Sequence, residues 1–316
     1  MGHRRRRRSL VIVASLAALG LLAAACGGGE DDSGTTAGTE APSVDSSAPA
    51  GSEAPATDST APATDAPAAE PQQGGSLVWG LEADTSNPWR PSEMVCATSC
   101  YQVMFSVYDP LTVITDAEPN WEPYLAESVT PNADNTVWTI KVRPDITFHD
   151  GTPLDGAAVA DNLTRAKSGF LTGTALADVT NIAVNPTDPL AVDVTMSRPW
   201  TAFPLYLAGQ IGLMASPTWL AASDADESLK SKPVGTGPFI FESYAPNELF
   251  KANRNPDYWN QPYPYLDSVE FRPIPDALNR RDALKSGAID ILHTTNGETI
   301  AEYRDNDDLV LEERTY

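Results

Sequence analysis

Hydrophobic and polar residues alternate in several parts of the chain, and this period of two is typical of a β-strand with one buried face. In the ranges Trp138–Val142 and Leu190–Met196, large apolar residues occupy every second position, with polar or small residues between them. The ranges Gly74–Gly80, Phe239–Tyr244 and Ser268–Arg272 are also strand-like. Strands are therefore predicted along most of the chain that follows its N-terminal segment.

Three other stretches have helix signals. Asp155 can cap a helix that runs to about Lys167, because its carboxylate can accept hydrogen bonds from the backbone N–H groups of the first turn. The range Asp276–Ser286 is predicted as a helix with Gly287 as its stop, and Tyr101–Tyr108 as a short apolar helix. Since helices and strands mix throughout, the predicted fold class is α/β or α+β.

The N-terminus has the layout of a secretory signal. Arg4–Arg8 form a basic head, Leu10–Leu22 form an apolar core, and Ala23–Ala25 supply small residues before Cys26. The apolar core is too short to cross a bilayer of about 30 Å. The alanines and the cysteine resemble a bacterial lipobox, with Ala23 where leucine is usual. The resemblance implies a lipid on Cys26, and the alternative is a plain secretory signal with an incidental cysteine.

The chain thus divides into three parts. Residues 1–25 are the predicted lipoprotein signal peptide. Residues 26–73 are rich in Ala, Pro, Ser, Thr and acidic residues, so they are predicted to be a disordered tether that starts at the lipid anchor. Residues 74–316 are enough for one large domain or two small ones, and they are the predicted solute-binding domain.

The charge of the chain excludes some partners. The formal net charge is −22, and removal of the five arginines of the signal makes it −27. Nucleic acid is not a predicted partner, because phosphates require Lys and Arg. The same negative charge argues against adsorption to anionic lipid. Membrane association is therefore expected through the lipid anchor.

Two cysteines lie close together after the tether, in Cys96–Cys100. Outside the cytoplasm, two neighbouring thiols usually form a disulfide. A regular helix holds residues four apart poorly for such a bridge, so a non-helical turn closed by a disulfide is predicted here. Two reduced, buried cysteines are the alternative. No metal site is predicted, because two thiolates without a nearby histidine do not complete a tetrahedron.

Several segments resemble the family 5 solute-binding proteins, which are the extracytoplasmic receptors of peptide-type ABC importers. The segments occur in the order that this family has, and the resemblance covers about residues 74–290. They are Leu125–Ser128, Phe148–Leu154, Lys232–Pro238, Asn253–Trp259 and Ser286–Ile291.

The resemblance implies a two-lobed, periplasmic-binding-protein-like type II fold, in which the lobes close on a ligand by a hinge motion. Members of this family are longer than this chain. The resemblance therefore implies that the chain holds the first lobe and the start of the crossover, and that the second lobe and the C-terminal return strand are missing. The tail 305–316 is strand-like and is expected to enter the second lobe.

The family motifs have a structural interpretation. Gly235 and Gly237 predict a tight backbone path where side chains would clash, and Pro238 fixes φ at the start of the next strand. Tyr258 and Trp259 are interpreted as packing residues.

Ligand contacts are expected elsewhere by the same resemblance. In oligopeptide-binding relatives the segment between the first strand and the first helix lines the cleft, and residues past the crossover strand also touch ligand. The candidate cleft-lining residues here are Met94, Val95, Cys96, Ala97, Thr98, His293, Thr294 and Thr295. The hypothesis is that the bridge from Cys96 to Cys100 stiffens a cleft-edge loop. For the segment with the cysteines, the alternative is a surface loop that the bridge only stabilises. For residues 293–295, the alternative is an ordinary loop after the crossover strand.

An extracellular hydrolase is one rival interpretation. After the signal, the chain has only His149 and His293, and it contains no nucleophile-elbow, zinc-protease or P-loop motif. His149 lies beside the turn signal Asp150–Gly151 and is interpreted as a structural histidine. No catalytic residue and no cofactor is therefore predicted.

The predicted function is capture of a small solute, with a peptide as the leading ligand, and its delivery to ABC permease and ATPase subunits. The protein is expected outside the cytoplasm, lipid-anchored to the outer face of the cell membrane. A receptor that senses peptides without transport is the second rival, and the sequence does not separate it from an importer subunit.

Overall fold

The computed structural model describes residues 71–84, 88–95, 98–304, 306 and 309–312. All of them fall within the unit Ala66–Tyr316. The predicted signal peptide, Cys26 and nearly all of the tether lie outside the described residues, as do Cys96 and Ala97. Across the described ranges, none of the helices combines the length and the apolar character needed to cross a membrane.

Strands and helices are mixed along the described chain, as predicted. The strands are β1 Ser76–Leu81, β2 Thr112–Ile114, β3 Trp121–Pro123, β4 Ala126–Pro131, β5 Val137–Val142, β6 Val179–Val184, β7 Ala191–Met196, β8 Phe239–Ala245, β9 Leu249–Arg254, β10 Ser268–Pro273 and β11 Ile291–Leu292. The α-helices are α1 Thr98–Val107, α2 Gly156–Ser168, α3 Thr172–Ala175, α4 Phe203–Tyr206, α5 Pro217–Ala225, α6 Ala277–Lys285 and α7 Gly297–Arg304. Two 3₁₀ turns are Gln210–Gly212 and Glu227–Leu229.

The larger sheet has five strands in the order β11-β1-β10-β9-β8. β1 runs parallel to both of its neighbours, β10 and β11, whereas β10, β9 and β8 pair antiparallel. Helix α1 packs against β8 and β9. Apolar side chains from the sheet and from α1 and α5 form one core, which includes Leu81, Val103, Trp219, Phe250 and Phe271.

The smaller sheet is antiparallel and has the order β4-β5-β7-β6. Helix α2 covers it, in contact with β6 and β7. The predicted alternation is confirmed in both central strands, because their large apolar residues point into a second core. The buried members of these strands include Trp138, Ile140, Val142, Val192, Val194 and Met196. A further two-stranded sheet pairs β2 with β3.

The predicted cap of α2 and the predicted start and stop of α6 are confirmed. Asp155 accepts a hydrogen bond from the N–H of Ala158 at 2.9 Å and starts α2. Asp276 does the same for the N–H of Asn279 at 2.8 Å and starts α6. Gly287 follows α6 with φ of 72°, in the left-handed region that glycine adopts without strain.

The start of α1 differs from the prediction. The sequence predicted a non-helical turn before a helix at Tyr101, but Thr98, Ser99 and Cys100 are already helical. Cys100 is the third described residue of this helix, whereas Cys96 lies outside the described residues. The predicted turn therefore does not extend to Cys100, and its path at Cys96 stays a prediction.

The strand predicted in the tail is also absent from the described residues 309–312. A strand needs a neighbouring chain to accept its backbone hydrogen bonds. Here the N–H of Leu309 donates locally to the carbonyl of Asn306 instead, as in a turn.

The Gly-Thr-Gly-Pro segment crosses the end of α1 at very close range. A Cβ atom at Gly235 or at Gly237 would overlap the backbone of Val107. The N–H of Gly237 donates to the Val107 carbonyl at 2.9 Å, which fixes the crossing. The predicted tight path is therefore confirmed, and the structure identifies Val107 as the reason for it.

Tyr258 and Trp259 have a structural role, as predicted, but they bond as well as pack. The hydroxyl of Tyr258 and the indole Nε1 of Trp259 each donate to the carboxylate of Asp109 at 2.9 Å. Asp109 is 3% exposed and also accepts from Thr236 at 3.2 Å. Because Trp259 packs on the core of the smaller sheet and Asp109 follows the end of α1, this contact links the two sheets.

Candidate functional site

The parallel strands of the larger sheet end at a common edge. Glu82, Ile274 and His293 follow β1, β10 and β11, and the N–H of Ile274 donates to the carbonyl of Leu81 at 2.8 Å. In open α/β sheets, ligands bind outside the carboxyl ends of the parallel strands. This edge is therefore the candidate functional site, and the predicted residues His293, Thr294 and Thr295 lie along it.

Glu82 is the centre of the hydrogen bonds at this edge. Its Oε1 accepts from the backbone N–H of Thr295 at 2.7 Å and from Nη2 of Arg280 at 3.1 Å. Its Oε2 accepts from the hydroxyl of Thr295 at 3.0 Å and lies 3.9 Å from Nδ1 of His293. The carboxylate thus joins the residue after β1 to the segment after β11.

The environment of Glu82 keeps it ionised. Burial by itself would raise its pKa, but the hydrogen bonds from Thr295 and the positive charge of Arg280 outweigh that effect and lower the pKa of Glu82. Arg280 is 2% exposed, and its Nη1 donates to the carbonyls of Ile274 and Pro275 at 2.5 and 3.3 Å. This ion pair, in which Arg280 is buried and Glu82 is half-buried, therefore contacts all three strand ends.

Sequence reasoning did not identify Glu82 or Arg280. A carboxylate directly after a predicted strand and an arginine inside a predicted helix were the available signals. These two residues are 198 positions apart in the chain, and only the parallel pairing of β1 with β10 and β11 brings them together.

The second candidate segment precedes α1 and is held by buried side chains. Nε2 of Gln210 donates to the carbonyls of Pro91 and Met94 at 2.6 and 2.9 Å. The hydroxyl of Tyr108 donates to the carbonyl of Trp89 at 2.7 Å. The backbone of this segment therefore has a defined path up to the residues that were predicted to meet ligand.

Arg90 holds the same segment through charge. Its guanidinium is 2% exposed and pairs with Glu93 and Asp224, each at 2.7 Å. Asp224 also pairs with Arg165 of α2 at 3.0 Å. These ion pairs attach the segment to α2 and α5.

The predicted ligand-facing residues of this segment have different environments. Met94 is 1% exposed and belongs to the core of the larger sheet, so its side chain faces inward, contrary to the prediction. The backbone turns here, because the N–H groups of Glu93 and Met94 donate to the Arg90 carbonyl at 3.0 and 3.1 Å, and Met94 joins the core that the sheet shares with α1 and α5. Val95 is 48% exposed, and Thr98 is exposed at the start of α1.

Cys100 is buried in the first turn of α1 and is disulfide-bonded. Its predicted partner, Cys96, and the candidate Ala97 lie outside the described residues. The predicted bridge and its role at the cleft edge therefore stay predictions.

His149 is fully engaged with the backbone. Its Nε2 lies 2.9 Å from the carbonyl oxygen of Gly237, and its Nδ1 accepts from the N–H of Gly235 at 3.4 Å. Burial lowers the pKa of His149, which favours the neutral ring. The histidine therefore fastens the Gly-Thr-Gly-Pro segment, in agreement with its structural interpretation. Within the described ranges, no group of His, Cys, Asp and Glu is arranged to hold a metal ion.

Known proteins resemble this chain in both sequence and structure. The chain is 33% identical over 192 residues to the glutathione-binding protein GsiB of Shigella flexneri, a match that covers 60% of this chain and 36% of that protein. Among solved structures, the protein AgaA from A. tumefaciens R10 in complex with agropinic acid superposes with a TM-score of 0.66 at 27% identity, over 74% of this chain and 46% of AgaA.

A second solved structure is that of DppA from Helicobacter pylori, an ABC transporter-associated periplasmic binding protein in complex with the peptide STSA. It has a TM-score of 0.65 and 25% identity, over 76% of this chain and 50% of DppA. The chain thus spans about half the length of such relatives, or less. The family model of bacterial extracellular solute-binding proteins, family 5 (Middle), matches residues 120–316. The chain therefore belongs to the family 5 bacterial extracellular solute-binding proteins.

Proposed function

We propose that this protein is the substrate-binding component of an ABC importer, which captures a small solute outside the cell and delivers it to the permease. The observation that carries the proposal is the match of the family model over residues 120–316, on a sheet whose parallel strands end at one polar edge. Binding would use hydrogen bonds and lobe closure, without covalent chemistry, so the protein is proposed not to be an enzyme.

A peptide is the proposed ligand class. GsiB is a glutathione-binding protein, and glutathione is a tripeptide. The H. pylori relative is in complex with a four-residue peptide. A short peptide offers N–H and C=O groups along its whole length, and backbone and side-chain groups of residues 293–295 other than the Thr295 N–H and hydroxyl, which Glu82 engages, can pair with them.

The ends of the chain are proposed to serve delivery. Residues 1–25 would direct secretion, Cys26 would carry the lipid, and the acidic tether up to residue 73 would let the binding domain reach the permease from the membrane face. A flexible segment of this length has an r.m.s. span of roughly 40 Å. The range 74–316 would then form the first lobe and the start of the crossover to a second lobe.

Mass spectrometry of the protein extracted from its own cell membranes tests the proposal. Under native conditions, a non-covalent mass that is released on unfolding and fragments as a peptide is expected. The polypeptide itself is expected to carry the added mass of lipid, and a Cys26→Ser variant should lose that addition. A released sugar or metal complex would overturn the peptide class, and no released solute in any preparation would overturn solute capture.

A turnover control separates binding from hydrolysis. The purified protein is incubated with the tetrapeptide Ser-Thr-Ser-Ala, and the peptide is expected to remain intact. Cleavage that persists after repeated purification would favour the hydrolase interpretation.

A further inference from the structure

The last strand of the larger sheet is very short. β11 consists of Ile291–Leu292, which pair with Trp79 and Gly80 of β1. The N–H of His293 donates to the carbonyl of Gly80 at 3.0 Å and completes the ladder. Two paired residues restrain the chain beyond them only weakly, so the path of the next residues depends on other contacts.

The contact that follows is made by a side chain. Two residues after the ladder ends, the N–H and the hydroxyl of Thr295 donate to the carboxylate of Glu82. A hydrogen bond to an ionised carboxylate is stronger than one between neutral groups. The bond from the Thr295 N–H is 2.7 Å long, which is at the short end of the normal range.

The carboxylate has a fixed position of its own. Arg280 holds Glu82 from α6 and at the same time donates to the carbonyls of Ile274 and Pro275 after β10. Since Arg280 is buried, its guanidinium has little freedom to follow a displaced partner. The rigid part of the sheet therefore fixes the position of Glu82, and Glu82 in turn fixes the position of Thr295.

We propose that Glu82 is a positioning residue for ligand binding, which fixes the backbone path of residues 293–295 at the edge of the sheet. The inference rests on the proposed function, in which these residues contact the solute. Glu82 touches the segment through Thr295 and acts on the solute only by fixing that segment. Arg280 supports it by holding the carboxylate ionised and in place.

Hydrogen–deuterium exchange of the whole chain tests the positioning directly and needs no ligand. In a Glu82→Ala variant, exchange in peptides covering 293–298 is expected to accelerate roughly tenfold, because a charge-assisted hydrogen bond is lost. Peptides from β9 and β10 should keep their wild-type rates. A Glu82→Gln variant retains an oxygen acceptor of the same shape, so a smaller acceleration is expected there.

The matched control is Glu270→Gln. Glu270 lies on the neighbouring strand β10 and pairs with Arg272 at 2.8 Å. The Glu270→Gln substitution therefore removes a carboxylate from the same sheet without changing residues 293–295. Unchanged exchange at 293–298 is expected in this control. Wild-type rates at 293–298 in both Glu82 variants, or an equal rise across the whole sheet, would overturn the proposal.

Titration with glutathione and with Ser-Thr-Ser-Ala gives the functional arm. If the wild type binds either probe, Glu82→Ala is expected to weaken binding by tenfold or more, whereas Glu270→Gln leaves it unchanged. If Glu82→Ala speeds exchange at 293–298 but binds the probe as tightly as the wild type, the role of Glu82 in ligand binding is overturned. If the wild type binds neither probe, the proposed peptide ligand fails, and the exchange experiment still decides whether Glu82 positions the segment.

Discussion

The carboxylate of Asp109 accepts a hydrogen bond from the indole Nε1 of Trp259 at 2.9 Å, although the two residues are 150 positions apart in the chain. Asp109 is almost completely buried, and burial raises its pKa from 3.8 to about 6 against the opposing effect of hydrogen bonds from Trp259, Tyr258 and Thr236. When protonated, Asp109 can donate to the hydroxyl of Tyr258, which in turn can donate to Tyr124 at 2.9 Å. The two protonation states thus use the same partners.

This arrangement predicts that Asp109 makes the protein less stable as the pH rises. The folded state binds its proton more tightly than the unfolded state, so the stabilisation is complete below pH 4 and is lost as the pH rises through about 6. A shift from 3.8 to about 6 corresponds to about 3 kcal/mol in the free energy of unfolding. Urea denaturation of the wild type and of Asp109→Asn at several pH values measures it.

The quantity to compare is the difference in stability between wild type and Asp109→Asn. It should fall from pH 4 to pH 6.5 and stay level above that range. An Asp161→Asn control, at a half-buried carboxylate of α2 that pairs with Arg165 at 2.9 Å, should show no such fall. A difference that does not change with pH would mean that Asp109 titrates alike in the folded and unfolded protein.

Because Gly235 crosses Val107 at close range, adding one methyl group at position 235 is expected to lower the stability of the fold strongly. A Gly235→Ala substitution places Cβ against the Val107 carbonyl, so one of two backbone segments must move, and we expect a loss of about 3 kcal/mol. Gly209→Ala is the matched control, since no atom lies within 4 Å of its added Cβ. Equal unfolding midpoints of the two variants in urea would contradict the expectation.

The cap of α2 predicts a smaller and more local effect. Asp155→Ala leaves the N–H of Ala158 without its acceptor and should lower stability by about 1 kcal/mol. Asp155→Asn keeps a side-chain acceptor and should cost much less. Thermal unfolding followed by circular dichroism ranks the three proteins, and a loss in the asparagine variant as large as in the alanine variant would show that the cap hydrogen bond is not the cause.

The cysteines predict separate effects on stability and on binding. A bridge from Cys96 to Cys100 would close a short loop, and replacing both cysteines with serine should cost about 2 kcal/mol. If the bridge stiffens a ligand-contact loop, the affinity for the peptide identified by mass spectrometry should fall as well. If the double serine variant keeps its affinity for the peptide but melts at a lower temperature, the bridge stabilises the loop without a role in ligand binding.

Features that depend on neighbouring residues follow from the sequence by itself. The alternation in Trp138–Val142 identifies the buried face of β5, because side chains of a strand point to opposite faces in turn. Asp155 and Asp276 mark helix starts, since a cap acts within one turn of its own helix. The family motifs likewise identified the kind of protein, because they recur in a fixed order.

The tertiary structure decided what depends on residues far apart in the chain. Met94 was predicted to face ligand, but whether a turn directs a side chain inward depends on the elements that surround it, and here the sheet and α1 enclose it. The contacts of Glu82 with Arg280 and Thr295 span 198 and 213 positions. A sequence pattern records spacing along one segment, whereas these side chains meet only because parallel pairing aligns the ends of β1, β10 and β11.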